Sequence, residues 1–197
     1  MTALNDKKII IITGPSGAGK NAVIEKLIEK YPDTFEKVVS YTTRAMRPGE
    51  VAGVTYHYIT NEEFRNKLSS GEIFEYTEIY GYFRGISKTL TDKIIKKGKV
   101  AIKDTDILGI HALRREYPGK VIVFFIDADK ALLEQRLLAR GDSEKDRIRK
   151  LGEYDQDITW KKYCDYIIDN NSSLDDCVKR VQDILWNKYL VKKKAKQ

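Results

Sequence analysis

The 197-residue sequence predicts an α/β fold in which helices cover both faces of a parallel β-sheet. Short apolar segments alternate along the chain with segments whose apolar residues recur at helical spacing. The first apolar segment, Ile9 to Thr13, has the continuous hydrophobic character of a buried strand. A glycine-rich turn leads from it into a helix whose apolar face carries Val23, Ile24, Leu27 and Ile28.

The remaining elements continue this pattern without an internal repeat or a Pro/Gly-rich linker, so we expect one domain over residues 1–197. Further core strands are expected at Val38 to Ser40, Val100 to Ile102, Val121 to Ile126 and Tyr166 to Ile168. Aromatic and β-branched residues at Tyr56 to Ile59 and Ile73 to Ile79 predict a small mixed sheet around a helix at Asn61 to Ser70. Two later helices are expected, a strongly charged one near Ser143 to Lys162 and a last one from about Leu174.

Composition favours a cytoplasmic globular protein. No apolar run approaches the roughly 20 residues that span a bilayer, and the polar start has no signal-peptide core. Four lysines of the net charge of +7 lie in Val191 to Gln197, and without them 32 basic residues face 29 acidic ones. We therefore expect neither a membrane nor a nucleic acid as partner. The cysteines, Cys164 and Cys177, have neither a metal-ligand nor a redox spacing.

The turn after the first strand has the composition of a phosphate-binding P-loop. It matches the pattern G-x-x-x-x-G-K and consists of Gly14, Pro15, Ser16, Gly17, Ala18, Gly19 and Lys20. Glycines let backbone N–H groups curl around phosphate oxygens, and the following helix, which begins with Asn21 and Ala22, points its positive dipole end at them. Lys20 supplies a cation for the outer phosphates of ATP. A turn that binds nothing is the alternative, and the strand–loop–helix setting argues against it.

Two features of this loop bear on which ligand and which metal contacts it can have. Residues 17–22 also satisfy the looser dinucleotide-binding fingerprint, but the second strand lacks the acidic residue that would hold a ribose. Asn21 stands where the P-loop pattern has Ser or Thr, whose hydroxyl ligates Mg²⁺. Because an amide oxygen can also reach Mg²⁺, directly or through water, Asn21 is a candidate metal ligand.

Residues 39–50, VSYTTRAMRPGE, resemble the signature S-x-T-T-R-x-x-R-x-G-E of the guanylate kinase family. Gly53 and Tyr56 follow as the family's G-x-x-Y would. The resemblance implies that Arg44, Arg47 and Tyr56 hold the phosphate of the bound monophosphate. Two guanidinium forks and a phenol hydroxyl suit a dianion.

The same resemblance implies that Ser40 and Glu75 recognise the guanine base. A carboxylate suits guanine because N1–H and the amino group are adjacent donors, whereas adenine has an acceptor at N1. Asp104 matches a further carboxylate near the base and the metal, and the preceding Lys103 interrupts the apolar run of its strand. Glu75 as a solvated strand carboxylate is the alternative. Asp106 fits a helix N-cap as well as it fits a chemical role.

Downstream, residues 133–141 are similar to the family's R-L-x-x-R-G lid entry. The resemblance implies that Arg136 and Arg140 close over the ATP phosphates, where they would stabilise developing charge. Arg149 falls near a further lid arginine, with Lys150 as a rival. Together with Lys20 and Arg44, these arginines are the predicted catalytic residues. Asn170 matches an asparagine that lies near the adenine.

The sequence departs from the family in the stretch G-x-Y-Y-G-[ST], which is Gly81 to Ile86 here. Arg84 replaces a phosphate-binding tyrosine, and an arginine can take over that task. Ile86 replaces a hydroxyl that contacts guanine, and that contact is lost unless Ser87 supplies it.

The resemblance, which extends from Ile9 to about Leu185, implies a kinase that uses ATP and Mg²⁺ to phosphorylate GMP or dGMP. The expected regions are a core at about 1–39, 98–133 and 163–190, a monophosphate-binding region at about 40–97, a lid at about 134–162 and a basic tail at 191–197. The substituted pocket leaves two alternatives, a P-loop kinase with another phosphorylated acceptor and a non-catalytic domain that binds proteins. A homodimer is left open.

Overall fold

The computed structural model describes residues 3–4, 8–79 and 81–191. In chain order the strands are β1 (Ala3–Leu4), β2 (Ile9–Thr13), β3 (Phe35–Lys37), β4 (Tyr41–Thr42), β5 (His57–Tyr58), β6 (Ile73–Ile79), β7 (Tyr82–Ser87), β8 (Val100–Asp104), β9 (Val121–Asp127), β10 (Tyr166–Asp169) and β11 (Leu190–Val191). The helices are α1 (Lys20–Lys30), α2 (Asn61–Ser69), α3 (Lys88–Lys96), α4 (Ile107–Glu116), α5 (Lys130–Ala139), α6 (Glu144–Gly152), α7 (Tyr154–Ile158), a 3₁₀ helix (Thr159–Tyr163) and α8 (Leu174–Lys188).

The central sheet has five parallel strands in the order β10–β9–β2–β8–β3, which confirms the predicted fold class. Ile10 and Ile12 of β2 belong to a core cluster formed with α1 and α8, whereas Ile9 and Ile11 belong to a second cluster with α3 and α4. Helices on both faces explain why β2 has no polar alternation, since each of its side chains is buried.

A second sheet, in the order β5–β4–β7–β6, lies between β3 and α3 in the sequence. Strands β6 and β7 form an antiparallel hairpin, and β4 pairs with β7 in the antiparallel and with β5 in the parallel sense. Helix α2 packs on this sheet through the buried Phe64, whose ring stacks on Phe83 at a centroid distance of 5.3 Å. The predicted small mixed sheet around a helix is therefore present.

Two expected elements differ in the structure. The second core strand is β3 at Phe35–Lys37 rather than Val38 to Ser40. Val38 still donates its backbone N–H to Ile102, but the carbonyl of Ser40 accepts from His57 because the chain is by then entering the second sheet. The single charged helix near Ser143 to Lys162 is instead divided into α6, α7 and the 3₁₀ helix.

The division of α6 from α7 follows a glycine, Gly152, whose helix propensity is low. The turn lets Leu151 and Tyr154, on either side of it, pack against the main core. In the described ranges, no helix combines the length and the apolar character needed to cross a membrane. Lysines of the predicted basic tail lie outside the described residues, and the division into core, monophosphate-binding region and lid stays a prediction.

Candidate active site

The P-loop joins β2 to α1, and its glycines are required by close contacts. Gly14 has a φ of +134°, and a Cβ built on it would lie 2.3 Å from the carbonyl oxygen of Ile126. Gly19 precedes α1 with a φ of +94°, and its Cβ would lie 2.8 Å from the Asn170 amide nitrogen. The first turn of α1 contains no acidic residue, so nothing in it neutralises the positive end of the helix dipole. This local structure is that of an anion site at a helix N-terminus.

The Lys20 side chain folds back over this loop. Its Nζ donates hydrogen bonds to the carbonyls of Gly14 and Pro15, at 2.8 and 2.9 Å. Burial lowers the pKa of Lys20, and the nearby carboxylates of Asp104 and Asp157 oppose that shift. The ammonium group is thus held at the mouth of the loop, where the outer phosphates of a bound nucleotide would lie.

A cavity of about 450 Å³ runs from the P-loop to the second sheet. Nine predicted site residues line it, namely Gly14, Ser16, Lys20, Asn21, Ser40, Tyr56, Glu75, Arg84 and Asp104. The other predicted residues do not line it: Pro15, Gly17, Ala18, Gly19, Ala22, Arg44, Arg47, Arg136, Arg140, Arg149 and Asn170. The P-loop therefore shares one continuous space with the residues predicted to recognise the base and the acceptor phosphate.

At one side of the cavity, arginines surround the Tyr56 ring. The Arg84 guanidinium lies 4.8 Å from the ring centroid, and that of Arg44 lies 5.6 Å from it. The Nε of Arg84 is buried and has no hydrogen-bond partner in the described part of the chain. A buried donor without a partner is costly, so this guanidinium is suited to receiving an anion.

Glu50 organises the loop that carries the other two phosphate-binding candidates. Its carboxylate accepts from Arg44 Nη2 at 2.6 Å, from the Arg47 backbone at 2.8 Å and from the Tyr58 hydroxyl at 2.8 Å. The hydrogen bond from Arg44, with that from the Arg47 backbone, lowers the pKa of Glu50 to about 2. Arg47 itself is exposed. Sequence analysis did not single out the role of Glu50, although it is part of the signature.

The base-recognition candidates meet where the two sheets adjoin. Glu75 of β6 pairs directly with Ile86 of β7, and Lys103 Nζ donates to Ser40 Oγ at 2.7 Å. Burial raises the pKa of Glu75 to about 7, with Asp106 contributing and Lys103 opposing. Ser87 does not replace the missing hydroxyl at position 86, because its side chain is fully buried and caps α3 by accepting from Leu90 N–H at 3.1 Å.

Asp104 lies beside the P-loop, since the register of β8 with β2 places it opposite Ile12. Burial opposes ionisation of its carboxyl, but Lys103, Lys37 and Lys20 together outweigh burial and lower its pKa. No cluster of three or more acidic, histidine or cysteine side chains suited to a metal exists in the described ranges. Asp104 and Asn21 both line the cavity, and one carboxylate with one amide fits the few protein ligands that Mg²⁺ takes when nucleotide phosphates supply the rest.

Asp106 is the N-cap of α4, because its side chain accepts from the Gly109 backbone N–H at 3.0 Å. The cap interpretation is therefore confirmed, and Asp106 lines the cavity as well. One carboxylate thus both starts the helix and adds negative charge near Glu75.

The three arginines predicted for the lid do not line the cavity and have partners elsewhere. Arg136 donates to the Asn170 carbonyl at 2.9 Å, Arg140 pairs with Asp142 and Arg149 pairs with Glu153. The segment predicted as the lid instead lines the cavity with residues that were not predicted from the sequence, namely Glu153, Asp157 and Trp160. Burial raises the pKa of Asp157 to about 6, although Lys20 opposes the shift.

Asn170 supports the P-loop from behind. Its side chain is almost fully buried, and Nδ2 donates to the Ala18 carbonyl at 2.7 Å. The opposite edge of the amide, Oδ1, is buried without a partner in the described residues. The predicted position near adenine stays a prediction.

Comparisons with known proteins all point to one family. The family model described as guanylate kinase matches residues 6–188. A guanylate kinase of Idiomarina loihiensis is 36% identical over 165 residues, which are 83% of this chain and 79% of the relative. One from Helicobacter pylori is 38% identical over 74% of this chain and 70% of its own length, and one from Chlamydia felis is 43% identical over 73% and 69%.

A crystal structure of guanylate kinase from Anaplasma phagocytophilum superposes with a TM-score of 0.71 at 27% sequence identity. The match covers 94% of this chain and 87% of that one. The family model spans nearly the whole chain and the relatives exceed 30% identity over most of their length. This chain belongs to the guanylate kinase family.

Proposed function

We propose that this protein is a nucleoside monophosphate kinase that transfers the γ-phosphoryl group of ATP to GMP or dGMP. The observation that carries the proposal is the shared cavity, which Lys20, Glu75 and Arg84 all line. A phosphate-binding loop, a guanidinium for the acceptor phosphate and a carboxylate for the base therefore open on one space. Family membership gives the proposal its second support.

On the acceptor side, Arg84 and Tyr56 would hold the phosphate, with Arg44 and Arg47 joining from the neighbouring loop. The orphaned Nε of Arg84 supports this role. The acceptor phosphate is already an anionic nucleophile, so the reaction needs no side-chain base. What the protein must do is align the two phosphates and balance their charge.

On the donor side, the P-loop backbone from Gly14 to Gly19 and the start of α1 at Lys20, Asn21 and Ala22 would bind the ATP phosphates. Bound Mg²⁺ would neutralise phosphate charge, and Asn21 and Asp104 are the residues that would hold it. Lys20 would leave the carbonyls of Gly14 and Pro15 and donate to the outer phosphates instead. Asp104 would also approach the base side of the acceptor, as the family resemblance implies.

The lid arginines Arg136, Arg140 and Arg149 would act after closure of the lid. Two of them are paired with carboxylates in the present structure, Arg140 with Asp142 and Arg149 with Glu153. Glu153 is an exposed partner, so its exchange for phosphate costs little, because exposed ion pairs contribute only about 0–1 kcal/mol. Asp142 is only 11% exposed, but it keeps its ion pair with Lys150 when Arg140 leaves. Closure would also exclude water and suppress hydrolysis of ATP.

Two other functions could use this pocket. A kinase with another phosphorylated acceptor is motivated by Arg84 and Ile86, which alter the acceptor side. A non-catalytic binding domain is opposed by Lys20 and the P-loop, which retain the geometry of an ATP site. A cytoplasmic location and a homodimer stay predictions.

The test is ATP turnover with Mg²⁺ against GMP, dGMP, AMP, UMP, CMP and ribose phosphates. We expect a clear preference for GMP or dGMP, and we expect Lys20→Met to lower kcat by about 100-fold or more. Preference for another acceptor would support the first alternative. Failure to bind ATP at all would support the binding domain.

A further inference from the structure

Lys103 is a buried lysine in a strand that is otherwise mostly apolar. It follows Ile102 in β8 and is 7% exposed, and its side chain is on the same face of the sheet as Ala101. Its Nζ donates to Ser40 Oγ at 2.7 Å, and the described residues offer it no second hydrogen-bond acceptor. An ammonium group has three donors, and leaving buried donors unpaired is costly. Because Lys103 lines the cavity, a ligand could supply the missing acceptor.

The sheet register places Lys103 among the base-recognition residues. Tyr41 pairs with Gly85, so Ser40 and Ile86 each lie one residue beyond that pair. Ile86 in turn pairs with Glu75. Ser40, Ile86 and Glu75 are therefore side by side, and Lys103 reaches this group through its hydrogen bond to Ser40.

The chemistry of guanine requires a donor at this place. Its Watson–Crick edge carries the O6 acceptor next to the N1–H and amino donors, so a carboxylate that accepts from the donors leaves O6 to be met by a separate group. The Ile86 side chain has no polar atom, and the Ser87 hydroxyl is occupied in the cap of α3. Ser40 accepts from Lys103, which leaves its own hydroxyl proton free to point into the cavity.

We propose that Lys103 is a specificity-determining residue that donates a hydrogen bond to O6 of the acceptor base and orients the Ser40 hydroxyl toward the same oxygen. The inference rests on the proposed function and deepens it. The site then selects 6-oxopurine monophosphates, since the 6-amino group of adenine would meet the donors of Lys103 and Ser40 instead of an acceptor.

The test compares wild type with Lys103→Met, which keeps the length of the side chain and removes its donors. We expect kcat/KM for GMP to fall about 10- to 100-fold, the range of one lost hydrogen bond, with KM carrying most of the change. Lys96→Met, at an exposed lysine of α3, is the matched control and should change kcat/KM for GMP less than twofold. The KM for ATP should stay within about twofold in both variants.

Base analogues locate the contact. Inosine monophosphate keeps O6 and lacks the 2-amino group, so Lys103→Met should lower its kcat/KM by the same factor as for GMP. In 6-thio-GMP only O6 is replaced, by a weaker acceptor. Wild type should therefore discriminate against 6-thio-GMP, and Lys103→Met should lose most of that discrimination.

A second variant restores a hydroxyl beside the vacated position. Ile86→Thr added to Lys103→Met should recover at least about tenfold in kcat/KM for GMP. The proposal is overturned if Lys103→Met is folded and leaves GMP kinetics unchanged, or if wild type and variant discriminate equally between GMP and 6-thio-GMP. If wild type itself does not phosphorylate GMP, the proposed function fails first, which is a separate outcome.

Discussion

Glu75→Gln tests whether the Glu75 carboxylate, the proposed base-recognition group, is held in a destabilising environment. Burial raises the pKa of Glu75 from 4.5 to about 7, with a contribution from Asp106. Because the folded-state pKa is the higher one, the unfolded chain ionises first as the pH rises. The free energy of unfolding therefore decreases between about pH 4.5 and pH 7 and stays lower above pH 7.

The magnitude follows from the pKa difference between the two states. At about 1.4 kcal/mol for each pKa unit, the interval from 4.5 to about 7 gives an upper bound of about 3 kcal/mol. The Glu75 side chain borders the open cavity, and water there screens part of this cost. Between pH 4.5 and pH 8, we expect the free energy of unfolding of Glu75→Gln to rise by about 1–2 kcal/mol relative to that of wild type.

Urea unfolding of both proteins at pH 4.5, 6 and 8 measures this effect. Glu78→Gln is the matched control, since Glu78 is an exposed carboxylate on the same strand. The difference in the free energy of unfolding between Glu78→Gln and wild type should vary by less than about 0.5 kcal/mol over the same pH range. A constant difference in the free energy of unfolding between Glu75→Gln and wild type at all three pH values would mean that burial does not raise the pKa of Glu75.

The same ionisation should appear in catalysis. Guanine offers donors to Glu75, so the ionised carboxylate is the form that binds, and kcat/KM for GMP should rise as the pH passes about 7. Glu75→Gln should lose this transition and keep the one near pH 6 that belongs to the phosphate of GMP. A wild-type profile that is flat from pH 6.5 to pH 8 would contradict the assignment of Glu75 to the base.

Three further changes test the loop, the metal and the acceptor phosphate. Gly14→Ala should lower the free energy of unfolding by about 2–3 kcal/mol and the Tm by about 5–10 °C, since the new Cβ would collide with the Ile126 carbonyl. Gly49→Ala is the control and should destabilise less, because Gly49 also has a positive φ but has open space around it. Asn21→Ser should lower the Mg²⁺ concentration that gives half-maximal turnover, because a hydroxyl replaces the amide ligand. Arg84→Met should raise the KM for GMP about 10- to 100-fold and leave the KM for ATP within twofold.

Each of these has an outcome that would contradict it. Equal thermal stability of Gly14→Ala and Gly49→Ala would mean that the loop relaxes away from β9. An unchanged Mg²⁺ titration for Asn21→Ser would remove Asn21 from the metal site. If Arg84→Met raises the KM for both substrates alike, Arg84 stabilises the cavity rather than the acceptor phosphate.

Elements that depend on local chemistry could be predicted from the amino-acid sequence. The P-loop is encoded within seven residues, and Gly14 is needed where the turn bends against β9. The strand Ile9 to Thr13 was predicted with its observed bounds, because burial on both faces leaves a continuous apolar run. The helix start at Asp106 was one of two open interpretations, and its cap bond joins residues only three positions apart.

Contacts between distant segments were decided by the tertiary structure alone. Lys103 and Ser40 are 63 positions apart, so the sequence could present Lys103 only as an interruption of a strand. The segment predicted as the lid likewise places Glu153, Asp157 and Trp160 on the cavity, while Arg140 and Arg149 of the same segment are paired with carboxylates. Charged helices look alike in sequence whichever face they turn inward, because that choice depends on packing against the core. The family signature predicts which segments form the pocket, and the packing of the fold determines which of their side chains line it.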